Sequence, residues 1–228
     1  MLNTFSSADI KLCIFDLDGT LVNTISDLAA SVDYALAQLN LPTHSIEEYK
    51  SFVGDGTLLL IQRSLPENLK DNKEILNKAH SLFISYYSKH YADKSFVYDG
   101  IKEALVKLKY SGIRLAVLSN KPDAFTKAII NKLFPEGLFD YVLGAREGVP
   151  KKPDPTAEIE LMSTLVFRKE ETLHIGDSDV DVVTAHNAGI KCLGCTWGFR
   201  DYECLKAAGA DGIITCAEEL VKFFAKNS

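Results

Sequence analysis

One alternation, interrupted once, limits this chain more than any other feature. Short apolar runs rich in β-formers recur at Ile10 to Phe15, Arg114 to Leu118, Tyr141 to Leu143, Thr172 to Ile175, Lys191 to Thr196 and Gly212 to Thr215. Between them lie stretches with helical spacing, as in Ile101, Ala104, Leu105, Leu108 and again in Ala157, Leu161, Leu165. This rhythm predicts parallel βαβ units, an α/β fold with a doubly wound Rossmann-like sheet covered on both faces, and a ligand at the carboxyl ends of the strands. From 23 to 94 the rhythm stops. Helical stripes take over, with Leu28, Val32, Ala35, Leu36, Leu39 and later Ile75, Ala79, Leu82, Phe83, Tyr86. About seventy helical residues are too many for one crossover, so 23–94 reads as an inserted all-helical domain. The α/β core is then discontinuous, 1–22 and 95–228. The aromatic stretch Phe83-Ile-Ser-Tyr86-Tyr87 fits a substrate box or a packed bundle core, and its helical spacing favours the core.

Charge narrows the partners. With 25 Lys and Arg against 31 Asp and Glu, the net charge is −6, which gives no overall cationic field for nucleic acid or an anionic membrane surface. An anionic substrate must therefore find its positive charge locally. No apolar run approaches the ~18 residues that span a bilayer, and residues 1–11 carry no secretion signal. The 5 cysteines are odd in number and scattered, which fits reduced thiols in a cytoplasmic setting. Cys192 and Cys195, three apart on a strand, point to opposite faces and read as small buried hydrophobes.

Chemistry-bearing residues gather where strands end. The first run leads into Phe15-Asp16-Leu17-Asp18-Gly19-Thr20-Leu21. Aspartate disfavours strands, so two of them in alternate positions fit either a turn with a helix cap or acid/base chemistry at the sheet edge. His174-Ile175-Gly176-Asp177-Ser178-Asp179-Val180-Asp181 ends another run, with Asp179 suited to a helix cap and Asp177 at the strand tip. Adjacent parallel strands would bring Asp16, Asp18 and Asp177 together, a self-repelling cluster that calls for a cation, and oxygen ligands suit Mg²⁺. Ser119 and Asn120 offer a hydroxyl and an amide at the same edge, where anion binding and helix capping fit equally. Lys152, held between prolines in Val149-Pro-Lys-Lys152-Pro-Asp-Pro155, is a restricted cation that can be aimed. The chain has no Gly-Lys dipeptide, GxSxG elbow or GxGxxG fingerprint.

Asp16-Leu-Asp18-Gly-Thr-Leu, Ser119-Asn120, Lys152-Pro and Gly176-Asp177-Ser-x-x-Asp181, in this order, resemble the four motifs of the haloacid dehalogenase superfamily, and the insertion resembles its helical cap. Val53-Gly-Asp-Gly56, Ser119-Asn-Lys-Pro122, Lys151-Lys-Pro-Asp-Pro155 and Thr196-Trp-Gly-Phe-Arg200 resemble its phosphoglycolate phosphatase branch. The resemblance implies an Mg²⁺-dependent phosphomonoester hydrolase. Asp16 would be the nucleophile that forms an aspartyl-phosphate, and Asp18 the acid and base for leaving group and water. The metal would sit on Asp16, Asp177 and the backbone carbonyl of Asp18. Lys152 and Ser119 would bind the phosphoryl oxygens, with Asn120 a further contact, and Asp181 and Thr20 would stand behind them.

The second acid, Asp18, points to an alkoxide leaving group and away from dehalogenation. Thr20, where sugar phosphomutases commonly carry Val or Ile, favours hydrolysis. The implied partner is a small phosphorylated metabolite, 2-phosphoglycolate first, with a sugar phosphate, a nucleotide or pyrophosphate as the alternative. A phosphomutase or a catalytically silent binding protein stands behind these, and in every reading the chain is expected as a monomer or homodimer. In the cap, Gly54 and Gly56 fit a loop that approaches the substrate or a simple turn, and Arg63 fits a substrate carboxylate or a surface ion pair.

Overall fold

The protein is described by a computed structural model over residues 6–225. In chain order its strands are β1 (Leu12–Phe15), the two-residue β2 (Val22–Asn23) and β3 (Phe96–Val97), β4 (Arg114–Pro122), β5 (Tyr141–Ala145), β6 (Thr172–Gly176), β7 (Lys191–Cys195) and β8 (Gly212–Ile214). Six of them form one parallel sheet in the order β5-β4-β1-β6-β7-β8. The chain is a mixed α/β protein of the Rossmann-like kind, and every strand expected from the sequence is present.

Residues cluster into two compact units, one up to Val22 and again from Val97, the other Asn23–Phe96. In the first, β1 is the central strand, and all four of its residues are buried. A parallel strand with neighbours on both sides and helices on both faces must be apolar throughout, which is why Leu-Cys-Ile-Phe shows no alternation. Leu12, Ile14 and Leu118 form one core layer with Leu161 of α7 (Thr156–Leu165) and Val182 of α8 (Asp179–Ala188). The intervening Cys13, Phe15, Leu115 and Val117 are equally buried on the opposite face.

Register fixes the site. Phe15 is paired with Val117 of β4 and with Ile175 of β6, so the residues that follow all three emerge at one edge. β4 runs on to Pro122, beyond the Leu118 end that its apolar run suggests. Polar Ser119, Asn120 and Lys121 are poor strand formers, but the pairing of Pro122 with Ala145 across a register irregularity keeps this stretch extended.

The second unit contains α1 (Ile25–Gln38), α2 (Ile46–Phe52), α3 (Thr57–Ser64) and α4 (Lys73–His90), with α1 packed along α4, and α5 (Ile101–Tyr110) and α6 (Asp123–Leu133) follow in the first unit before α7. Phe83 and Tyr87 are fully buried and stacked, centroids 5.2 Å apart, so these two belong to the bundle core. Tyr86 stacks between Tyr34 and His90 on the outer side. Asp27, buried in the first turn of α1, accepts from the Lys94 N–H at 3.0 Å, the Ser95 N–H at 2.7 Å and the Ser95 hydroxyl at 2.6 Å. One carboxylate thus ties the first helix of the unit to its last residues. Asp27→Ala leaves these donors without an acceptor and is expected to cost about 2–4 kcal/mol in chemical denaturation; an unchanged midpoint and slope would contradict this role.

Candidate active site

At the carboxyl edge of the sheet, Asp16 follows β1, and its N–H donates to the Ile175 carbonyl at 3.0 Å. Asp177 follows β6 and is almost fully buried. Thr20 donates its hydroxyl to Asp177 Oδ1 at 2.9 Å, and the Phe199 N–H donates to Oδ2 at 2.7 Å. The loops that bring these donors in are packed so closely that side chains are excluded. A Cβ on Gly19, which has φ of +91°, or on Gly198 would lie 2.3 Å from Asp177 Oδ2. The Trp197 indole N–H fixes the same turn by donating to the Thr20 carbonyl at 3.0 Å.

Asp181 sits in the first turn of α8, where Ser178 and Asp181 form a reciprocal cap. Its Oδ2 accepts from the Ser178 N–H and hydroxyl, and its Oδ1 accepts from Lys152 Nζ at 2.6 Å. Lys152 Nζ also lies 2.9 Å from Asp16 Oδ1, an ion-pair contact without hydrogen-bond alignment, and donates to the Leu118 carbonyl at 3.2 Å. Asn120 grips the main chain of Lys152 from both sides, accepting its N–H at 2.8 Å and donating to its carbonyl at 2.9 Å. Asn120 therefore aims Lys152. Ser119, buried beside it, accepts the Lys121 N–H through its hydroxyl oxygen.

Asp18 is paired with a different lysine. Its carboxylate accepts from Lys121 Nζ at 2.9 and 2.8 Å, one oxygen each. The carboxylate cluster able to hold a cation consists of Asp16, Asp177 and Asp181, with oxygens within 4.8 Å of one another. This differs from the expected trio by Asp181 in place of Asp18, whose expected contribution was its backbone carbonyl. Asp181 Oδ1 accepts from the Lys152 ammonium, whereas Asp177 accepts from the neutral donors Thr20 and Phe199 N–H and Asp16 Oδ1 accepts no hydrogen bond, so Asp16 and Asp177 are the acids suited to take up a cation.

Electrostatics describe a site short of positive charge. Burial pushes Asp16 up to about 6, and the charges of Asp181 and Asp18 add to this against the pull of Lys152. Burial, then Asp181 and Asp16, push Asp177 well above the carboxylate range. Asp181 goes the other way: burial disfavours its charge, but Lys152 and His174 hold it well below that range. Lys152 is raised, because Asp16 and Asp181 outweigh its own desolvation. Two buried carboxylates raised by desolvation and by neighbouring acids, with hard oxygen donors, fit a divalent cation.

Several neighbours escape sequence reasoning. Lys121 was visible only as the residue after Ser119-Asn120. Tyr98, whose hydroxyl is raised by burial and by the charges of Asp177 and Asp18, follows β3 without any motif of its own. His174, the third residue of β6, is a lone polar group in an apolar run, and its partner Glu158 looks like a helix-start acid. Burial lowers His174, but Glu158 and Asp181 outweigh it and raise the imidazole to about 9. In the second unit, Arg63 donates to the Phe52 carbonyl and to Asp55, so its guanidinium props the Gly54–Gly56 loop.

A family model described as haloacid dehalogenase-like hydrolase matches residues 13–195, most of the chain and all of these acids. The chain belongs to that hydrolase family. Among its relatives, the phosphoglycolate phosphatase of Vibrio parahaemolyticus is 34% identical over 221 residues, covering 95% of this chain and 97% of the relative. That of Pseudomonas syringae pv. tomato is 34% identical over 193 residues, covering 83% and 71%. A crystal structure of a predicted phosphoglycolate phosphatase from Haemophilus somnus superposes with a TM-score of 0.87 at 31% identity, covering 94% of this chain and 97% of the other. Among the described residues, no helix is long and apolar enough to cross a membrane.

The acid cluster makes stability depend on pH and cations together. Folded, Asp16 keeps its proton up to about 6, whereas an ordinary aspartate releases it near 3.8. Between those values the folded chain binds the extra proton, so rising pH removes stability through this group. A cation on Asp16 and Asp177 offsets that loss. Addition of Mg²⁺ is therefore expected to raise the melting temperature more at about pH 7 than at about pH 4.5, as read by calorimetry. An equal shift at both would contradict the coupling.

Proposed function

We propose that this hydrolase cleaves the phosphate ester of a small cytosolic metabolite, 2-phosphoglycolate first among them, through a phosphoryl group carried on Asp16. The observation that carries the reading is a carboxylate at the end of the central strand, 2.9 Å from a buried lysine, with a second acid two residues on. The names of the relatives support the substrate.

In this reading an oxygen of Asp16 attacks phosphorus in line with the ester oxygen. The new P–O bond to Asp16 forms as the P–O bond to the substrate breaks, and the departing alkoxide takes a proton from Asp18. Water then attacks the phosphorus of the acyl phosphate, giving its proton to Asp18, and inorganic phosphate leaves with Asp16 restored. Lys152 and the Ser119 hydroxyl bind the transferring oxygens, where charge builds as the bonds change. Lys121 Nζ, 2.9 and 2.8 Å from the two Asp18 oxygens, would keep hold of one of them while the other carries the proton that is given and regained. Asp16 and Asp177, with the Asp18 carbonyl, would hold Mg²⁺, which supplies Lewis-acid charge stabilisation when bound. The buried free thiols Cys13, Cys192 and Cys195 suit a reducing, cytoplasmic compartment.

Asp16→Asn is expected to lower turnover on the order of 10³-fold or more without loss of melting temperature, because the neutral amide removes a penalised charge. Ranked by kcat/KM, 2-phosphoglycolate should lead a panel with sugar phosphates, nucleotides and pyrophosphate. Substantial turnover by the variant would overturn the nucleophile, and a different leading ester would overturn the substrate alone.

A further inference from the structure

Behind the lysine lies a second ion pair that the proposed reaction does not use. Glu158, in the first turn of α7, and His174, on β6, are both fully buried, with Glu158 Oε1 2.6 Å from His174 Nδ1. Removing two ionisable groups from water is costly, and apolar side chains of the same volume often serve a core better. The surroundings make the pair more conspicuous, since Ala157, Leu161 and Met162 beside Glu158 belong to a buried hydrophobic cluster. A pair kept in such a place calls for a role.

Its location supplies one. Along β6, His174 and Gly176 share a face, and Gly176 is where Asp181 presses in: a Cβ there would lie 2.3 Å from Asp181 Cβ. His174 Nε2 accordingly lies 3.4 Å from Asp181 Oδ1, the same oxygen that accepts from Lys152. The contacts continue without a gap from Glu158 through His174, Asp181 and Lys152 to Asp16. His174 places its two ring nitrogens against two different carboxylates.

We infer that Glu158 and His174 are positioning residues, a buried brace that fixes the Asp181 carboxylate and shares its charge, so that the Lys152 ammonium stays aimed and available at the phosphoryl-binding edge. Without the brace, Asp181 Oδ1 faces Lys152 alone and draws the ammonium toward itself. The main chain of Lys152 is set separately by Asn120, so the brace acts on the charged head of the side chain. The inference rests on Lys152 binding phosphoryl oxygens, as proposed above.

A double-mutant cycle tests it with two readouts: kcat on 4-nitrophenyl phosphate, and the affinity for inorganic phosphate by calorimetry, both in Mg²⁺ buffer. His174→Gln cannot bridge two carboxylates, and Glu158→Gln keeps the shape of its partner while removing the charge. Each variant is expected to keep a cooperative unfolding transition, lower kcat roughly 10–100-fold and weaken phosphate binding by about tenfold. In a Lys152→Ala background the same substitutions should change either readout by less than about twofold, because the group they act through is gone. Wild-type behaviour in the single variants, or losses that multiply fully with Lys152→Ala, would overturn the inference. So would failure of both variants to fold, since the pair would then serve the core. An unmodified chain that binds phosphate but turns over no ester would sink the hydrolase reading, while the binding cycle still decides the brace.

Discussion

Lys152 is the hinge of this structure's electrostatics. Its ammonium sits between Asp16 and Asp181, with almost no exposure, in a region where two further acids, Asp18 and Asp177, stand close by. Lys121 takes up Asp18, Lys152 by itself cannot neutralise the other three, and the acids divide accordingly. Asp181, capped by Ser178 and paired with Lys152, is held ionised, while Asp16 and Asp177 are pushed toward their protonated forms. That imbalance is the physical case for a divalent cation and for phosphate chemistry. The oxygens that need neutralising in the resting chain are the ones the proposed mechanism gives to a metal and to phosphorus.

The sheet exists around that point. β1 must be apolar because it is central and covered on both faces, and its end is where a parallel sheet delivers side chains from three strands to one edge. The glycines that permit close approach are spent on the acid Asp177: Gly19 and Gly198 leave no room for side chains because the Asp177 carboxylate lies where their Cβ atoms would be. Thr20 and the Phe199 N–H then orient it. Fold and site are in this sense one arrangement, since the same turn that ends β1 supplies both Asp16 and, through Thr20, a donor to Asp177.

Much of this was legible in the sequence because it follows short periods. Six apolar runs gave six strands, and the poor fit of Asp16, Asp18 and Asp177 to strand ends marked the edge where chemistry gathers. Ser119 was visible as a hydroxyl at a strand end, and Lys152 as a cation held between prolines. Contacts that depend on which helix lies against which strand were not legible. Lys121 reaches Asp18 across 103 positions, and Glu158 meets His174 across 16, through packing that no local pattern encodes. Asn120 illustrates the limit: the sequence marks an amide at the right edge, and only the fold shows it gripping the main chain of Lys152. Arg63 shows it again, since its pairing with Asp55 and the Phe52 carbonyl depends on how the loop before α3 folds back.

The central claim is that phosphoryl transfer passes through Asp16. Mixing the protein with 2-phosphoglycolate and Mg²⁺, quenching in acid within one turnover and mapping peptides by mass spectrometry tests it directly. A single alkali-labile phosphoryl group is expected on Asp16, absent from Asp16→Asn. Turnover at full rate with no phosphorylated peptide, or with the group on another residue, would contradict it.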